Sequence, residues 1–256
     1  MDGRTAIITG GSLGLGKAIA TEFSRSGANV AIIARRQDIL DQAKADIEKV
    51  SGGNVVTVSA DIRRADECQR AVADAEAAFG PTDVLVNNAG TSQRGPFLEV
   101  SDEMWQDDLD LKLLASIRLN RLVFGGMRDR RWGRIINVLN VGAKTPGAEG
   151  APTAVSRAAG MALMKVLSNE GAADNVLVNA LLVGKIRSDQ WERRHAADPR
   201  GLTLEAWYAE AGEDLPMGRL GRAEEFANMA CFLASDAGSY VNGAAINVDG
   251  GLCKAV

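Results

Sequence analysis

A chain of 256 residues with 46% hydrophobic side chains is long enough to bury the core of one large α/β domain. Its formal net charge of −4 excludes the strongly basic surface with which proteins bind nucleic acids or anionic membranes. No apolar run approaches the roughly 20 residues of a membrane span, and the first residues lack the pattern of a secretory signal peptide.

The predicted secondary structure alternates between short apolar or β-branched runs and longer segments of helical periodicity. The predicted strands are Thr5–Thr9, Asn29–Ala34, Val55–Ser59, Val84–Asn87, Arg134–Val138, Val176–Leu182 and Ala245–Val248. The predicted helices are Gly16–Arg25, Asp38–Val50, Ala65–Phe79, Asp102–Met127, Thr153–Gly171 and Ala223–Ala234. Apolar strands that alternate with helices are typical of a parallel sheet covered on both faces. The sequence thus predicts an α/β fold, a single Rossmann-type domain over residues 1–256 with a doubly wound parallel sheet of about seven strands and helices on both faces.

One segment, residues 185–216, interrupts this alternation. It is polar, it contains Trp191 and Trp207, and it follows the carboxyl end of a predicted strand. Ligands of doubly wound sheets bind at that edge. We therefore expect a partly helical lid over a small-molecule site.

A glycine-rich turn follows the first strand directly and leads into the first helix. It reads Thr9-Gly10-Gly11-Ser12-Leu13-Gly14-Leu15-Gly16. Glycines at such a turn allow the backbone to approach a pyrophosphate, and the positive end of the helix stabilises the phosphate charge. The turn predicts a dinucleotide site.

The end of the second strand indicates which dinucleotide binds. A carboxylate there accepts hydrogen bonds from the ribose hydroxyls of NAD, whereas a cation suits the 2′-phosphate of NADP. This chain has Ala34, Arg35 and Arg36 at that point. We expect NADP(H) to be preferred over NAD(H). The alternative is that both arginines are solvated and that Asp38 reaches the ribose.

Further motifs resemble those of the short-chain dehydrogenases/reductases, over essentially the whole chain. Besides the glycine turn they are Asn87-Asn88-Ala89-Gly90, Gly218-Arg219-Leu220-Gly221, Phe232-Leu233-Ala234-Ser235-Asp236, Ser239-Tyr240-Val241-Asn242-Gly243 and Val248-Asp249-Gly250-Gly251. The resemblance implies contacts of residues 61–62 with adenine, of residues 87–90 with the cofactor ribose and of residues 185–188 with the nicotinamide side. It also implies a homotetramer or homodimer that pairs the helices Asp102–Met127 and Thr153–Gly171.

The predicted cofactor site combines the glycine turn, the arginines and these implied contacts. Its residues are Gly10, Ser12, Leu13, Gly14, Leu15, Gly16, Arg35, Arg36, Asp61, Ile62, Asn88, Ala89, Gly90, Arg157, Gly184, Ile186 and Ser188.

The catalytic residues of the family, Asn, Ser, Tyr and Lys, are all substituted in this chain. The matching positions hold Lys112, Asn140, Thr153 and Arg157, respectively. In the family the tyrosine exchanges the proton of the substrate oxygen, and the lysine lowers the tyrosine pKa. Thr153 is a poor proton donor, and we expect no neighbour able to bring its hydroxyl near neutrality, so it cannot replace a phenolate directly. Arg157 holds anions or hydroxyls without shuttling protons. Asn140 retains an amide that orients a carbonyl group.

Three functions therefore stay open at this point. The first is an NADP(H)-dependent oxidoreductase of a small carbonyl or alcohol substrate, with a displaced acid. The candidate acids are Lys112, Tyr208, His195 and a bound water. The second is a non-redox enzyme in which a cationic cluster binds an anionic substrate. The cluster would contain Lys112, Lys144, Arg157, Lys185 and Arg187. The third is an inactive dinucleotide-binding or scaffold protein.

Cysteine and histidine usage argues against a metal or disulfide site. The chain has three cysteines, Cys68, Cys231 and Cys253, at wide and unrelated spacings, and its one histidine is His195. Zinc sites and disulfide frameworks require closer and more regular sets. We expect no bound metal and a reduced, cytoplasmic location.

Overall fold

Seven strands form one fully parallel sheet in the computed structural model, which describes residues 1–255. The strands are β1 (Thr5–Thr9), β2 (Asn29–Ala34), β3 (Val55–Ser59), β4 (Val84–Asn87), β5 (Gly133–Asn140), β6 (Val176–Val183) and β7 (Ala245–Val248). Their order in the sheet is β3-β2-β1-β4-β5-β6-β7. The chain reverses its winding direction between β1 and β4, which creates a crevice at the carboxyl ends of these strands. The predicted doubly wound sheet is confirmed.

Helices cover both faces of this sheet. They are α1 (Gly14–Arg25), α2 (Gln37–Ser51), α3 (Ala65–Phe79), α4 (Asp102–Leu109), α5 (Ala115–Asp129), α6 (Thr153–Gly171), α7 (Asp189–Ala196), α8 (Leu204–Gly212) and α9 (Ala223–Ala234). Side chains of α1, α2 and α9 form one apolar core, and those of α3, α5 and α6 form the other. Successive residues of β1 alternate between the two cores, since Ala6 and Ile8 join the first and Ile7 the second.

Two differences from the sequence prediction bear on the site. Strand β5 continues to Asn140, because it pairs with β6 over eight residues up to the Asn140–Val183 pair. The polar residue at 140 gave no strand signal, so pairing and not local pattern sets the end of the strand. The predicted helix Asp102–Met127 is divided into α4 and α5 by a π-helical turn over Asp110–Leu114.

The segment 185–216, which the sequence predicts to be partly helical, contains the helices α7 and α8. Trp191 and Trp207 pack edge to face with their ring centroids 5.6 Å apart. They join a small apolar cluster around Tyr208, Leu215 and Leu220. The tryptophans therefore hold the two helices together.

The described part of the chain shows neither a membrane-spanning helix nor a metal-ligand cluster. None of its helices has both the length and the hydropathy needed to cross a bilayer. Residues 1–255 also contain no group of three His, Cys, Asp or Glu side chains arranged to hold a metal ion.

Candidate active site

A cavity of about 860 Å³ lies at the carboxyl ends of the strands. Its wall extends from Arg35 beyond β2, past the glycine turn, to Asn140 at the end of β5 and Thr153 at the start of α6. Most of the predicted cofactor residues share this wall, namely Gly10, Ser12, Leu13, Gly14, Leu15, Gly16, Arg35, Arg36, Asp61, Ile62, Asn88, Ala89, Gly90, Arg157 and Ser188. Gly184 and Ile186 lie outside it. Ile186 is buried beside Gly221, and Gly184 packs against Asp249.

The glycine turn is built for a close approach of the backbone. Gly10 and Gly14 have positive φ angles of +65° and +53°, a conformation that glycine adopts without steric cost. A Cβ on Gly10 would lie 2.9 Å from the side-chain nitrogen of Asn88. Asn88 itself donates to Thr9 O at 2.9 Å and so fixes the turn to β4. Leu13 at the start of α1 provides no side-chain cap. The first N–H groups of α1 are thus available to an anion, as a bound pyrophosphate requires.

A carboxylate from α7 lies against this turn. A Cβ on Gly14 would be 2.8 Å from Asp189 Oδ1, and the other Asp189 oxygen forms an ion pair with Arg193 Nη1 at 2.6 Å. Asp189 and Arg193 both line the cavity. A phosphate bound at the N-terminus of α1 would repel this carboxylate and attract the arginine.

The far end of the cavity is rich in arginine. Asp61 pairs with Arg63 at 2.6 Å, and this guanidinium lowers the pKa of the Asp61 carboxyl group. Within residues 1–255, Arg35 and Arg36 form no ion pair, and both line the cavity. Their charges are available to an anionic ligand.

The opposite end contains a buried polar cluster around Thr153. Lys112 Nζ donates to Thr153 Oγ1 at 2.7 Å and also pairs with the Asp108 carboxylate. Ser156 donates to the second Asp108 oxygen at 2.6 Å. The Thr153 hydroxyl donates to Gln93 O at 2.6 Å and accepts from Gln93 N–H at 3.1 Å. No neighbour of the Thr153 hydroxyl was evident from the sequence, and the structure places Lys112 in direct contact with it.

Lys112 does not itself reach the cavity. Its side chain is 0% exposed, whereas Thr153 lines the cavity wall. Burial lowers the pKa of Lys112 to about 8, with a further lowering from Arg157 and an opposing effect of Asp108. Lys112 therefore acts on a ligand only through the Thr153 hydroxyl.

Arg157 and Asn140 complete this end of the cavity. Arg157 Nη1 donates to Val138 O at 2.7 Å, and burial lowers the pKa of Arg157 to about 10. Its guanidinium lies next to Gly90, where any side chain would displace it. The Asn140 side-chain oxygen is buried and has no hydrogen-bond partner among residues 1–255. Asn140 and Arg157 both line the cavity.

The other candidate acids lie away from the cavity. Tyr208 is buried in the cluster between α7 and α8, with the Arg187 guanidinium 4.7 Å from its ring centroid. His195 Nε2 contacts Leu202 O at 2.7 Å and is packed near Trp207. Neither residue lines the cavity wall.

The cationic cluster considered for an anionic substrate does not form. Lys144 Nζ donates to Ala245 O at 2.8 Å, and Lys185 Nζ donates to Ala211 O at 3.1 Å. Arg187 pairs with Glu205 at 3.2 Å. None of these three cations lines the cavity.

Sequence reasoning missed Asp108, Ser156, Gln93 and Asp189. Asp108 had a usable signal, because an acid four residues before a lysine on a helix places both on the same face. Gln93 contributes only backbone groups to the site, so its side chain gives no signal.

Comparisons with known proteins agree with this fold. A family profile described as enoyl-(acyl carrier protein) reductase matches residues 10–253. The acetoacetyl-CoA reductase of Shinella zoogloeoides is 30% identical over 249 residues, covering 97% of this chain and 98% of its own length. This chain belongs to the short-chain dehydrogenase/reductase family. It is therefore an oxidoreductase of that type.

Two solved structures of the family resemble this chain closely. The L-sorbose reductase of Gluconobacter frateurii, complexed with NADPH and L-sorbose, has a TM-score of 0.95 and 33% identity, covering 100% of this chain and 98% of its own. A short-chain oxidoreductase of Pseudomonas aeruginosa PAO1, described as containing an atypical catalytic center, is NADPH-bound. It has a TM-score of 0.90 and 31% identity, with 98% and 97% of the two chains covered.

Proposed function

We propose that this protein is an NADP(H)-dependent oxidoreductase that interconverts a small carbonyl compound and its alcohol, with the Thr153 hydroxyl as the group that exchanges the substrate proton. The contact between Lys112 Nζ and Thr153 Oγ1, at 2.7 Å, carries this proposal. Thr153 lines one end of a cavity whose middle is the glycine turn. The NADPH complexes of the structural relatives support the choice of cofactor.

The proton reaches the substrate through two groups of this chain. In the direction of reduction, a dinucleotide held by the glycine turn and Arg35 would supply the hydride for the carbonyl carbon. The Thr153 hydroxyl gives its proton to the carbonyl oxygen and receives one from the Lys112 ammonium, which becomes a neutral amine. The Thr153 proton first has to turn away from Gln93 O, which accepts it at 2.6 Å in the free protein. Oxidation reverses each of these steps.

Arg157 and Asn140 bind and orient without transferring protons. The Arg157 guanidinium remains charged at neutral pH and lies beside Gly90, so it is placed to hold ribose hydroxyls of the dinucleotide. The Asn140 side chain offers its amide to the substrate oxygen. Together they keep the reacting oxygen near Thr153.

The first test is direct. Purified protein is incubated with NADPH and a panel of small ketones, diketones and keto sugars, and the absorbance of the reduced nicotinamide is followed. We expect a decay with at least one compound that Thr153→Val removes. Tight NADPH binding without any decay would instead support the binding-only alternative. No binding of either dinucleotide would contradict the cofactor assignment.

Arg35→Ala is expected to weaken NADPH binding at least about tenfold more than NADH binding. The reason is that a charge-assisted contact with the 2′-phosphate is worth roughly 1.5–3 kcal/mol. Tryptophan quenching in titrations with both dinucleotides measures this difference. Arg64→Ala is the matched control, since Arg64 is exposed, pairs with Asp66 and does not line the cavity. Equal weakening of NADPH and NADH by Arg35→Ala would overturn the preference for NADP(H).

The rate of reduction is expected to fall as the pH rises through about 8. Burial depresses the Lys112 pKa to about 8, so the ammonium that replenishes the Thr153 proton is lost above this pH. The oxidation rate should rise over the same range, because oxidation needs the neutral amine. Both profiles are measured as kcat with saturating cofactor. A reduction rate that stays flat between pH 7 and 9 would exclude Lys112 as the proton source.

We also propose that the chain forms a homo-oligomer through α5 and α6. Leu122 on α5 and Val155 and Val166 on α6 are apolar and exposed, by 39%, 50% and 53%. Contact with a second copy would remove these side chains from water. Light scattering after size-exclusion chromatography should give a dimer or tetramer mass that Val166→Glu lowers. A monomer at micromolar concentration would contradict this proposal.

A further inference from the structure

Four buried polar side chains follow one another at four-residue intervals along α4, the π-helical turn and α5. They are Asp108, Lys112, Ser116 and Asn120, and each is at most 7% exposed. In a regular α-helix four residues exceed one turn by about 40°, so the first and last of these side chains would point about 120° apart. The extra residue of the π-helical turn reduces this rotation. With the helix interrupted in this way, all four side chains stay buried, the first two against α6 and the last two against β4 and β5.

The two halves of this polar face have different partners. Ser116 and Asn120 belong to an amide cluster with Asn87 and Asn137, which contains only neutral groups. Asp108 and Lys112 belong to the cluster around Thr153. Among these four side chains, Asp108 and Lys112 are the two that carry a charge.

The Lys112 ammonium is in an unfavourable environment apart from Asp108. Its side chain is fully buried, and the guanidinium of Arg157 on α6 adds a repulsive charge. The other groups in contact are the neutral hydroxyl of Thr153 and, around Asp108, that of Ser156. Within residues 1–255, Asp108 is the one carboxylate in ion-pair contact with Lys112.

We propose that Asp108 is a positioning residue of the active site, whose carboxylate keeps the buried Lys112 ammonium charged and directed at Thr153. Ser156 fixes the orientation of this carboxylate by donating to its second oxygen at 2.6 Å. Asp108 does not line the cavity, so it acts on the substrate only through Lys112 and Thr153. The role of Asp108 in catalysis rests on the proposed function. Its effect on the charge of Lys112 does not depend on any activity of the protein.

Asp108→Asn tests this role, because the amide keeps the shape of the side chain and removes its charge. The Lys112 ammonium is titrated by NMR in protein labelled with ¹³C at the lysine Cε atoms, and Lys112→Met assigns the resonance. We expect the midpoint to move down by about one pH unit or more in Asp108→Asn. Asp110→Asn is the matched control. It neutralises an acid in the same helical region that pairs with Arg118 and not with Lys112, so the Lys112 midpoint should stay in place.

The same variant separates this inference from the proposed function. With a reducible carbonyl compound, the pH at which the reduction rate of Asp108→Asn falls should move down together with the NMR midpoint. A shifted NMR midpoint in a protein without any turnover would support the role of Asp108 and contradict the proposed function. An unshifted midpoint in Asp108→Asn would overturn the inference, whatever the activity.

The wild-type protein provides a second test that does not depend on folding of the variant. A charged Lys112 at pH 7 in the wild type agrees with the role of Asp108. A neutral amine at pH 7 would overturn it, because the carboxylate would then fail to hold the charge.

Discussion

Thr153→Val is expected to reduce carbonyl-dependent NADPH oxidation by roughly 10²- to 10⁴-fold, the usual contribution of a general acid. Valine has the shape of threonine and lacks the hydroxyl, so the substrate oxygen loses its proton donor while the cavity keeps its size. The dissociation constant of NADPH should change little, because Thr153 lies at the opposite end of the cavity from Arg35. Stopped-flow measurement of a single turnover reports the chemical step directly.

Thr153→Ser is the matched control for this prediction. Serine restores the hydroxyl at the same backbone position, and Lys112 Nζ and the Gln93 backbone remain in place to bind it. We expect Thr153→Ser to retain most of the activity that Thr153→Val loses. Equal rates for wild type and Thr153→Val would show that the proton comes from elsewhere, for instance from a water in the cavity.

The substituted residues of this site form a consistent chemical unit. A threonine hydroxyl is a much weaker acid than a phenol. Arg157, which stands at the position of the family's lysine, would therefore not suffice to make Thr153 a proton donor. In the proposed mechanism the proton near neutral pH would come from Lys112, whose pKa is lowered to about 8 and which contacts the hydroxyl directly. Lys112 and Thr153 would therefore divide between them the work that one tyrosine performs in the family.

The fold was predictable because its signals are local. The strand Thr5–Thr9 is apolar throughout, and the glycine turn follows it immediately, so a buried parallel strand and an open helix N-terminus are visible in the sequence. The end of β5 was not predictable in this way. Asn140 is held in the strand by its pairing with Val183, which lies 43 residues further along the chain.

The proton path was not predictable for the same physical reason. Lys112 and Thr153 are separate substitutions in the sequence. No local sequence pattern indicates that their side chains are in contact, because 41 positions of the chain separate them. Lys112 lies within the π-helical turn Asp110–Leu114, so the direction of its side chain depends on this interruption and not on a regular helical pattern. Asp108 was overlooked because an acid four residues before a lysine is most often a solvated pair on a helix surface.

Lys112→Met is expected to lower the free energy of unfolding by about 3–5 kcal/mol and to abolish turnover. The loss of stability follows because methionine leaves the buried Asp108 carboxylate without its counter-ion. Urea unfolding followed by tryptophan fluorescence measures the first effect, and NADPH oxidation measures the second. Urea unfolding resolves differences of about 1 kcal/mol. A free energy of unfolding within that margin of wild type would show that the Asp108–Lys112 pair is not buried as described.

The double variant Lys112→Met/Asp108→Leu separates the two effects. Replacing both members of a buried ion pair by apolar side chains of similar volume is often neutral or stabilising, so most of the lost stability should return. The Thr153 hydroxyl would still lack a proton source, so turnover should remain absent. A stable and inactive double variant would mean that this pair is retained for proton transfer and not for folding. Recovery of activity together with stability would instead show that Lys112 only supports the structure around Thr153.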